Sequence, residues 1–422
     1  MYKKIILFFT IFIFCFGLSL NVYAENESIE VYAPSAILMD MNTGKVLYEK
    51  NIDEKMYPAS ITKVLTAIIV LENCSLEEIA TVSYDAVMNV DFGYVSANLQ
   101  IGEELTIEQL LNLLMVSSSN DAANVLAEHV SGSNSSFAEI MNEKALEIGC
   151  KNTHFINPSG AHDENHYSTA YDLALIGRYA MNIPKFRELA KKTFYQLGAT
   201  NKYSNTDRIF TTTNELLVSN SNDRSDNYYY KYATGIKTGF TTPAGNCLMA
   251  SCEKDDFSFI SVVLGDGQTK EGLSARYIDT KNLFEYGYSS YSLKQLAKKG
   301  SVIQTVNVEN ATSETKRLDL IIDDDIYATV FASNLNNSIT PRIELDGELK
   351  APIAKNAIVG KIYYEIDGIT YSANLLANNN VKASRLLLKF VLLFLFIVVL
   401  IGFIKTRNNI NKRKRINRIK NL

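Results

Sequence analysis

The sequence predicts an α/β chain of the α+β kind: helices covering an antiparallel sheet, then a small all-β domain, then one C-terminal transmembrane helix. Three observations carry this. Strand-like segments bracket a run of helix-like segments over roughly the first 290 residues. Beyond them the helical period disappears and short alternating strands take over. Finally, Leu386 to Ile404 is apolar apart from Lys389, and a basic tail follows.

In chain order, "MYKK" precedes a largely apolar run from Ile5 to Leu20 and small residues near Ala24, the pattern of a secretory signal peptide over residues 1–24. "SAILMDMNTGKVLYEK" alternates about an Asn-Thr-Gly turn and predicts a hairpin. A uniformly apolar helix then begins at Ser60. "TIEQLLNLLMV" has helical periodicity, with Thr106 as its cap. "DAANVLAEHV", "SFAEIMNEKALEIG" and "STAYDLALIGRYAM" read as further helices. "YKYATGIKTGFTT", "NCLMASCEK" and "FSFISVVLGD" read as three antiparallel strands, and "SARYIDTKNLFEYGYSSY" as a closing helix. The economical arrangement joins the first and last strands in one sheet. Alternating segments such as "KRLDLIIDD" and "KIYYEIDGITYSANLLA" fill the small β domain.

At about 1.5 Å per residue the apolar run reaches about 28 Å, close to a bilayer core. The tail from Lys405 to Leu422 holds eight Lys or Arg and no acid, which belongs on the cytoplasmic side. The expected topology is outside, one span, basic tail inside; a helix lying on the membrane surface is the alternative, but "FVLLFLFIVVLIGFI" has no polar face. The 422 residues have 47% hydrophobic content, enough for two cores, and a net charge of −4 that gives no hint of a nucleic-acid partner. Cys74, Cys150, Cys247 and Cys252 lie beyond the signal segment, too sparse for a disulfide scaffold, and free buried thiols are expected.

Ser60 and Lys63 stand three apart at the mouth of the apolar helix and would share a face. Burial lowers a lysine's pKa, and a neutral amine can deprotonate a neighbouring serine. The bland alternative is a capping serine and a solvent-seeking lysine. Ser-x-x-Lys recurs at Ser251 and at Ser313, but only the first copy opens a buried helix. Ser118 and Asn120, in "MVSSSNDAANVL", fall between two helices, where they either cap or face a cleft. Lys237-Thr238-Gly239 lies in a strand; the cation and hydroxyl suit a carboxylate, and the glycine admits a close backbone.

Ser-x-x-Lys, Ser-x-Asn and Lys-Thr-Gly in this order resemble the penicillin-binding proteins and class A β-lactamases. With the C-terminal layout, the chain is most similar to the low-molecular-mass serine D-alanyl-D-alanine carboxypeptidases of the peptidase S11-like family. The resemblance implies a β-lactamase/transpeptidase-like catalytic domain over residues 25–290, a β domain over 291–383, a transmembrane helix over 386–404 and a basic cytoplasmic tail over 405–422. It implies Ser60 as the acylated nucleophile, Lys63 as its base, and Ser118 and Asn120 as the second motif. Lys237, Thr238 and Gly239 become the third motif, the backbone N–H groups of Ser60 and Phe240 the oxyanion hole, and Arg276 a contact for the substrate carboxylate. The implied partners are peptidoglycan stem peptides, β-lactams as covalent inhibitors and the membrane, with no nucleic acid and no metal or other cofactor. The implied location is the cell membrane, catalytic domain outside. A literal Ser-Asp-Asn at Ser225 to Asn227 lies in a polar loop and is set aside. Three rivals stand beside this reading: a β-lactamase with Glu164 activating water, a zinc peptidase using His154, His162, His166 and Asp163, and a non-catalytic wall-binding module.

Overall fold

The computed structural model describes residues 29–204, 207–219, 228–384 and 386–420. The expected signal peptide and the Ser225–Asn227 triplet lie outside the described residues. The chain divides into two compact units that meet at Ser290 and Tyr291.

In the first unit, β1 (Ser35–Asp40) and β2 (Val46–Lys50) form the expected hairpin. Asp40 Oδ1 accepts the N–H groups of Asn42 and Thr43, and Gly44 takes a positive φ of 77°, so the turn closes on its own side chains. α1 (Lys63–Asn73) is buried on every side from Lys63 to Val70, which explains its lack of a polar face. β3 (Ile79–Thr81) pairs with β4 (Glu104–Thr106) across a short helix, α2 (Tyr84–Met88). α3 (Ile107–Asn112) starts at Thr106, whose hydroxyl and Gln109 make a reciprocal capping box. A π-helical turn, Leu113–Ser117, ends at Ser118 in the left-handed conformation, and α4 (Asn120–Ser131) starts two residues later. α5 (Asn134–Ile148), α6 (Ala170–Met181) and α7 (Pro184–Lys191) follow, then a minor hairpin, β5 (Phe194–Leu197) with β6 (Arg208–Thr211).

β7 (Ala233–Thr241), β8 (Gly245–Lys254) and β9 (Phe257–Asp266) are the three expected strands, and α8 (Ala275–Ser290) closes the unit. The sheet order is β2-β1-β9-β8-β7, antiparallel throughout, so the first and last strands of this unit meet at β1 and β9. Cys247 and Cys252 are both buried on β8, and Cys252 Sγ lies 3.1 Å from the Tyr288 hydroxyl of α8. All four described cysteines are free of disulfides, but Cys74, at the end of α1, is only half-buried, unlike the buried thiol expected there.

One boundary differs from expectation. The apolar helix begins at Lys63, not Ser60, because Ala59–Thr62 is a 3₁₀ turn entered through Ala59 at a positive φ of 47°. Three residues per turn still stack positions i and i+3, so the serine and lysine stay aligned.

In the second unit, β10 (Tyr291–Ala297) pairs with β13 (Ile326–Phe331). β11 (Val302–Asn307), β12 (Arg317–Ile322), β14 (Arg342–Leu345), β15 (Ile358–Ile366) and β16 (Ile369–Ala377) form a sheet in the order β11-β12-β16-β15-β14. Leu318, Leu320, Ala328, Ile362 and Leu375 centre its separate core. Asp367 and Gly368, both at positive φ, make the tight turn between β15 and β16. The C-terminal helix, α9 (Leu386–Lys420), is 35 residues long and runs on through the basic tail rather than stopping near Ile404. Within it, Lys389–Arg415 is long and apolar enough to cross a membrane.

Candidate active site

The 3₁₀ turn carrying Ser60 is wedged between two glycine-bearing segments. A Cβ on Gly239 of β7 would stand 2.9 Å from the Pro58 carbonyl oxygen and 3.3 Å from the Ser60 backbone nitrogen. A Cβ on Gly160, already at a φ of 79°, would lie 1.9 Å from the Ala59 carbonyl oxygen. Only glycine permits both approaches. The turn is further held by α1 and the loop after α5: Thr66 donates to the Pro158 carbonyl at 2.7 Å.

Lys63 is completely buried, and its Nζ has three neighbours: Ser60 Oγ at 2.9 Å, Asn120 Oδ1 at 2.6 Å and the Ser159 carbonyl at 2.6 Å. Burial pushes its pKa well below the ordinary lysine value, and the charge of Lys237 adds to the shift while Asp121 opposes it. A neutral amine has two N–H donors and one lone pair. Asn120 Oδ1 and the Ser159 carbonyl can only accept, so they use the two donors. The lone pair is left for the Ser60 hydroxyl, which can then donate to it.

The π turn and the left-handed Ser118 set the Ser118 side chain at the cleft, beside Asn120 at the start of α4. Lys237 and Thr238 are buried in β7. Lys237 Nζ donates to the Thr238 carbonyl at 3.1 Å, and Thr238 Oγ1 lies 2.5 Å from Thr213 Oγ1. Burial lowers the Lys237 pKa to about 7, helped by the Arg276 charge. Arg276, at the start of α8, donates to the Gly239 carbonyl at 3.4 Å and to the Tyr277 hydroxyl at 3.2 Å. Phe240 follows the glycine and is 60% exposed.

A cleft of about 540 Å³ gathers Ser60, Ser118, Asn120, Thr238, Gly239, Phe240 and Arg276, three sequence-distant segments and the start of α8. Lys63 and Lys237 lie buried behind it. No carboxylate is among the described residues lining it. Glu164 lines a separate recess with Lys55 and Tyr167, so it does not occupy the water-activating place of a class A β-lactamase. The three histidines of the zinc reading have separate partners. His154 Nδ1 lies 2.7 Å from the Asn165 carbonyl, His162 packs edge-on against Tyr57 at the cleft rim, and His166 is buried.

Sequence reasoning missed several contributors. His166 accepts the Ile156 N–H at Nδ1, so Nε2 is protonated and donates to Thr62 Oγ1 at 2.8 Å, tying the loop to the nucleophile turn. Burial drops its pKa to about 3, keeping it neutral. Asp121 accepts from Ser96 Oγ, the Ala97 N–H and the Leu99 N–H, which fastens the rim segment bearing Phe92 and Val95 onto α4. The only sequence signal was polar residues beside the motifs.

Known proteins resemble this chain over most of its length. The D-alanyl-D-alanine carboxypeptidase family matches residues 21–268, and the C-terminal domain of penicillin-binding protein 5 matches residues 291–383. The chain is 32% identical to D-alanyl-D-alanine carboxypeptidase DacF of Bacillus subtilis over 344 residues, covering 80% of this chain and 82% of that one. It is 29% identical to D-alanyl-D-alanine carboxypeptidase DacA of Escherichia coli over 350 residues, covering 81% of each. The crystal structure of penicillin binding protein 5 from Haemophilus influenzae aligns with a TM-score of 0.65 at 29% identity, covering 84% of this chain and 99% of that one.

Proposed function

The chain belongs to the D-alanyl-D-alanine carboxypeptidase family, and we propose that it removes the terminal D-alanine of peptidoglycan stem peptides through an acyl-enzyme on Ser60. The observation that carries this reading is the buried Lys63 amine 2.9 Å from Ser60 Oγ, its other two contacts being acceptors only.

Lys63 takes the Ser60 proton as Oγ attacks the carbonyl carbon between the two D-alanines. The oxyanion is received by the Ser60 and Phe240 N–H groups, a role supported by the close seating of β7 against the Ser60 nitrogen. The proton passes through the Ser118 hydroxyl to the leaving nitrogen, the C–N bond breaks and D-alanine departs. Water then gives a proton to Lys63 while its oxygen attacks the ester carbonyl. Ser60 Oγ leaves with that proton and the shortened peptide is released. Asn120 holds the Lys63 amine, and Lys237, Thr238 and Arg276 receive the substrate's terminal carboxylate.

A penicillin presents a similar carbonyl and carboxylate, so it acylates the same serine. The lack of a carboxylate among the described cleft residues favours slow release of that adduct. Mass spectrometry after penicillin treatment tests both points. One adduct is expected on the peptide containing Ser60, none in Ser60→Ala, and nitrocefin turnover should be slow. Labelling elsewhere, or rapid nitrocefin hydrolysis, would refute the assignment.

The domain scheme is residues 1–24 as export signal, 25–290 as catalytic domain, 291–383 as β domain and 386–404 as anchor. The basic residues from Lys405 onward support a cytoplasmic tail and a catalytic domain outside the cell.

A further inference from the structure

One helical turn behind Arg276, two carboxyl side chains meet in the interior. Asp266 ends β9; Asp279 lies three residues after Arg276 on α8, on the same face. Both are buried, at 2% and 0% exposure. Each has one oxygen engaged: Asp266 Oδ1 accepts the Gly267 N–H at 2.8 Å, and Asp279 Oδ2 accepts the Ala33 N–H at 2.7 Å. Their other oxygens, Asp266 Oδ2 and Asp279 Oδ1, are buried with no hydrogen bond from any described residue. Arg276 Nε is buried and equally unpartnered. The two side chains interact directly, and a proton on one carboxyl would satisfy both orphan oxygens at once.

The geometry points to Asp266 and Asp279 as positioning residues that share one proton and so leave Arg276 available to the substrate carboxylate. Two ionised carboxylates so close in a buried site repel strongly. Burial, and then the neighbouring Asp279, raise Asp266 to about 7, and burial raises Asp279 too. The other ionisable groups facing the pair fit this. Lys50 of β2 and the Tyr32 and Tyr48 hydroxyls face Asp279; Arg276 and the Cys247 thiol of β8 face Asp266; Lys237 of β7 faces Arg276. When the shared proton leaves, a second negative charge appears beside one guanidinium. Arg276 Nε then pairs with Asp266, and the pull on an anionic substrate weakens. The inference rests on Arg276 as the carboxylate contact in the proposed function.

The test is the pH dependence of D-alanine release from a D-Ala-D-Ala peptide by the full chain in detergent, between about pH 5.5 and 8.5. The KM of the wild type should climb with pH more steeply than that of Asp266→Asn, with kcat changing less than KM. The variant keeps only the rise due to Lys237 and to Asp279 as a single carboxyl, without the second negative charge. Superimposable KM profiles overturn the inference. If Asp266→Asn does not fold, infrared difference spectra of the wild type decide: a protonated-carboxyl band lost across this range supports the shared proton, and its absence refutes it. Arg276→Ala with unchanged KM defeats the Arg276 premise instead, leaving Ser60 labelling intact and so separating the two failures.

Discussion

In the proposed function Lys63 serves through a lone pair, and its surroundings are arranged to expose one. Burial favours the neutral amine, and two contacts that can only accept leave its lone pair to Ser60. Replacing it with arginine keeps the length and the donors but removes the ability to lose a proton. Lys63→Arg also forces a permanent charge into this buried site, so a melting curve must first show that it folds; in the folded variant the acylation rate by a fluorescent penicillin should be reduced by about 10³-fold or more, within the range for a lost general base. In the wild type, acylation should fall as pH drops through the lowered Lys63 pKa, because only the neutral amine is competent. An acylation rate insensitive to falling pH would exclude Lys63 as the base. The motif spacing singled out Ser60, Lys63, Lys237 and Thr238, and the structure places them at or just behind one cleft, because each motif spans a single strand or helical turn. The Ser159 carbonyl and the His166–Thr62 bond were not legible. They depend on where a loop's backbone comes to rest, and no side-chain pattern records that.

Among the elements, the 3₁₀ turn before α1 is the most constrained. Gly160 and Gly239 enclose it, and Ala59 enters it at a positive φ that a non-glycine residue adopts at some energetic cost. Gly160→Ala would place a methyl carbon where the Ala59 carbonyl now sits. The expected result is a lower melting temperature together with slower penicillin acylation; a variant matching the wild type in both would remove the wedge from the account. The helices and strands themselves were readable from periodicity, down to the capping box at Thr106. The 3₁₀ turn was read as ordinary helix because its apolar neighbours continue the same pattern, and the cause of its distortion lies about 100 and 180 residues further along the chain.

For the molecule as a whole, the sheet that joins β1 to β9 lets chain segments from 60 to 276 converge on one cleft. That closure was legible because strand patterns stood at both ends of the helical run. Each of the two units has its own apolar core, and α9 adds an exposed apolar face. Truncation before Leu386 should therefore release a protein from the membrane fraction that still takes up fluorescent penicillin at Ser60. Fractionation of cells expressing the shortened chain reads this directly, and a product that stays membrane-bound would show that the anchor lies elsewhere. At about 1.5 Å per residue, α9 spans about 52 Å, well beyond a hydrocarbon core of about 30 Å. Its basic end thus has room to reach past the lipid headgroups.

The crowding at Ala59 also limits how such an enzyme can evolve away from an antibiotic. In the proposed function substrate and drug meet the same crowded corner, so a change there that discourages the drug also harms the physiological reaction. Room for divergence lies instead at the outer lip, where the Phe92 and Phe240 rings stand in solvent and alterations leave the corner untouched. Resistance variants selected under drug pressure should therefore collect at that lip, while the corner stays invariant.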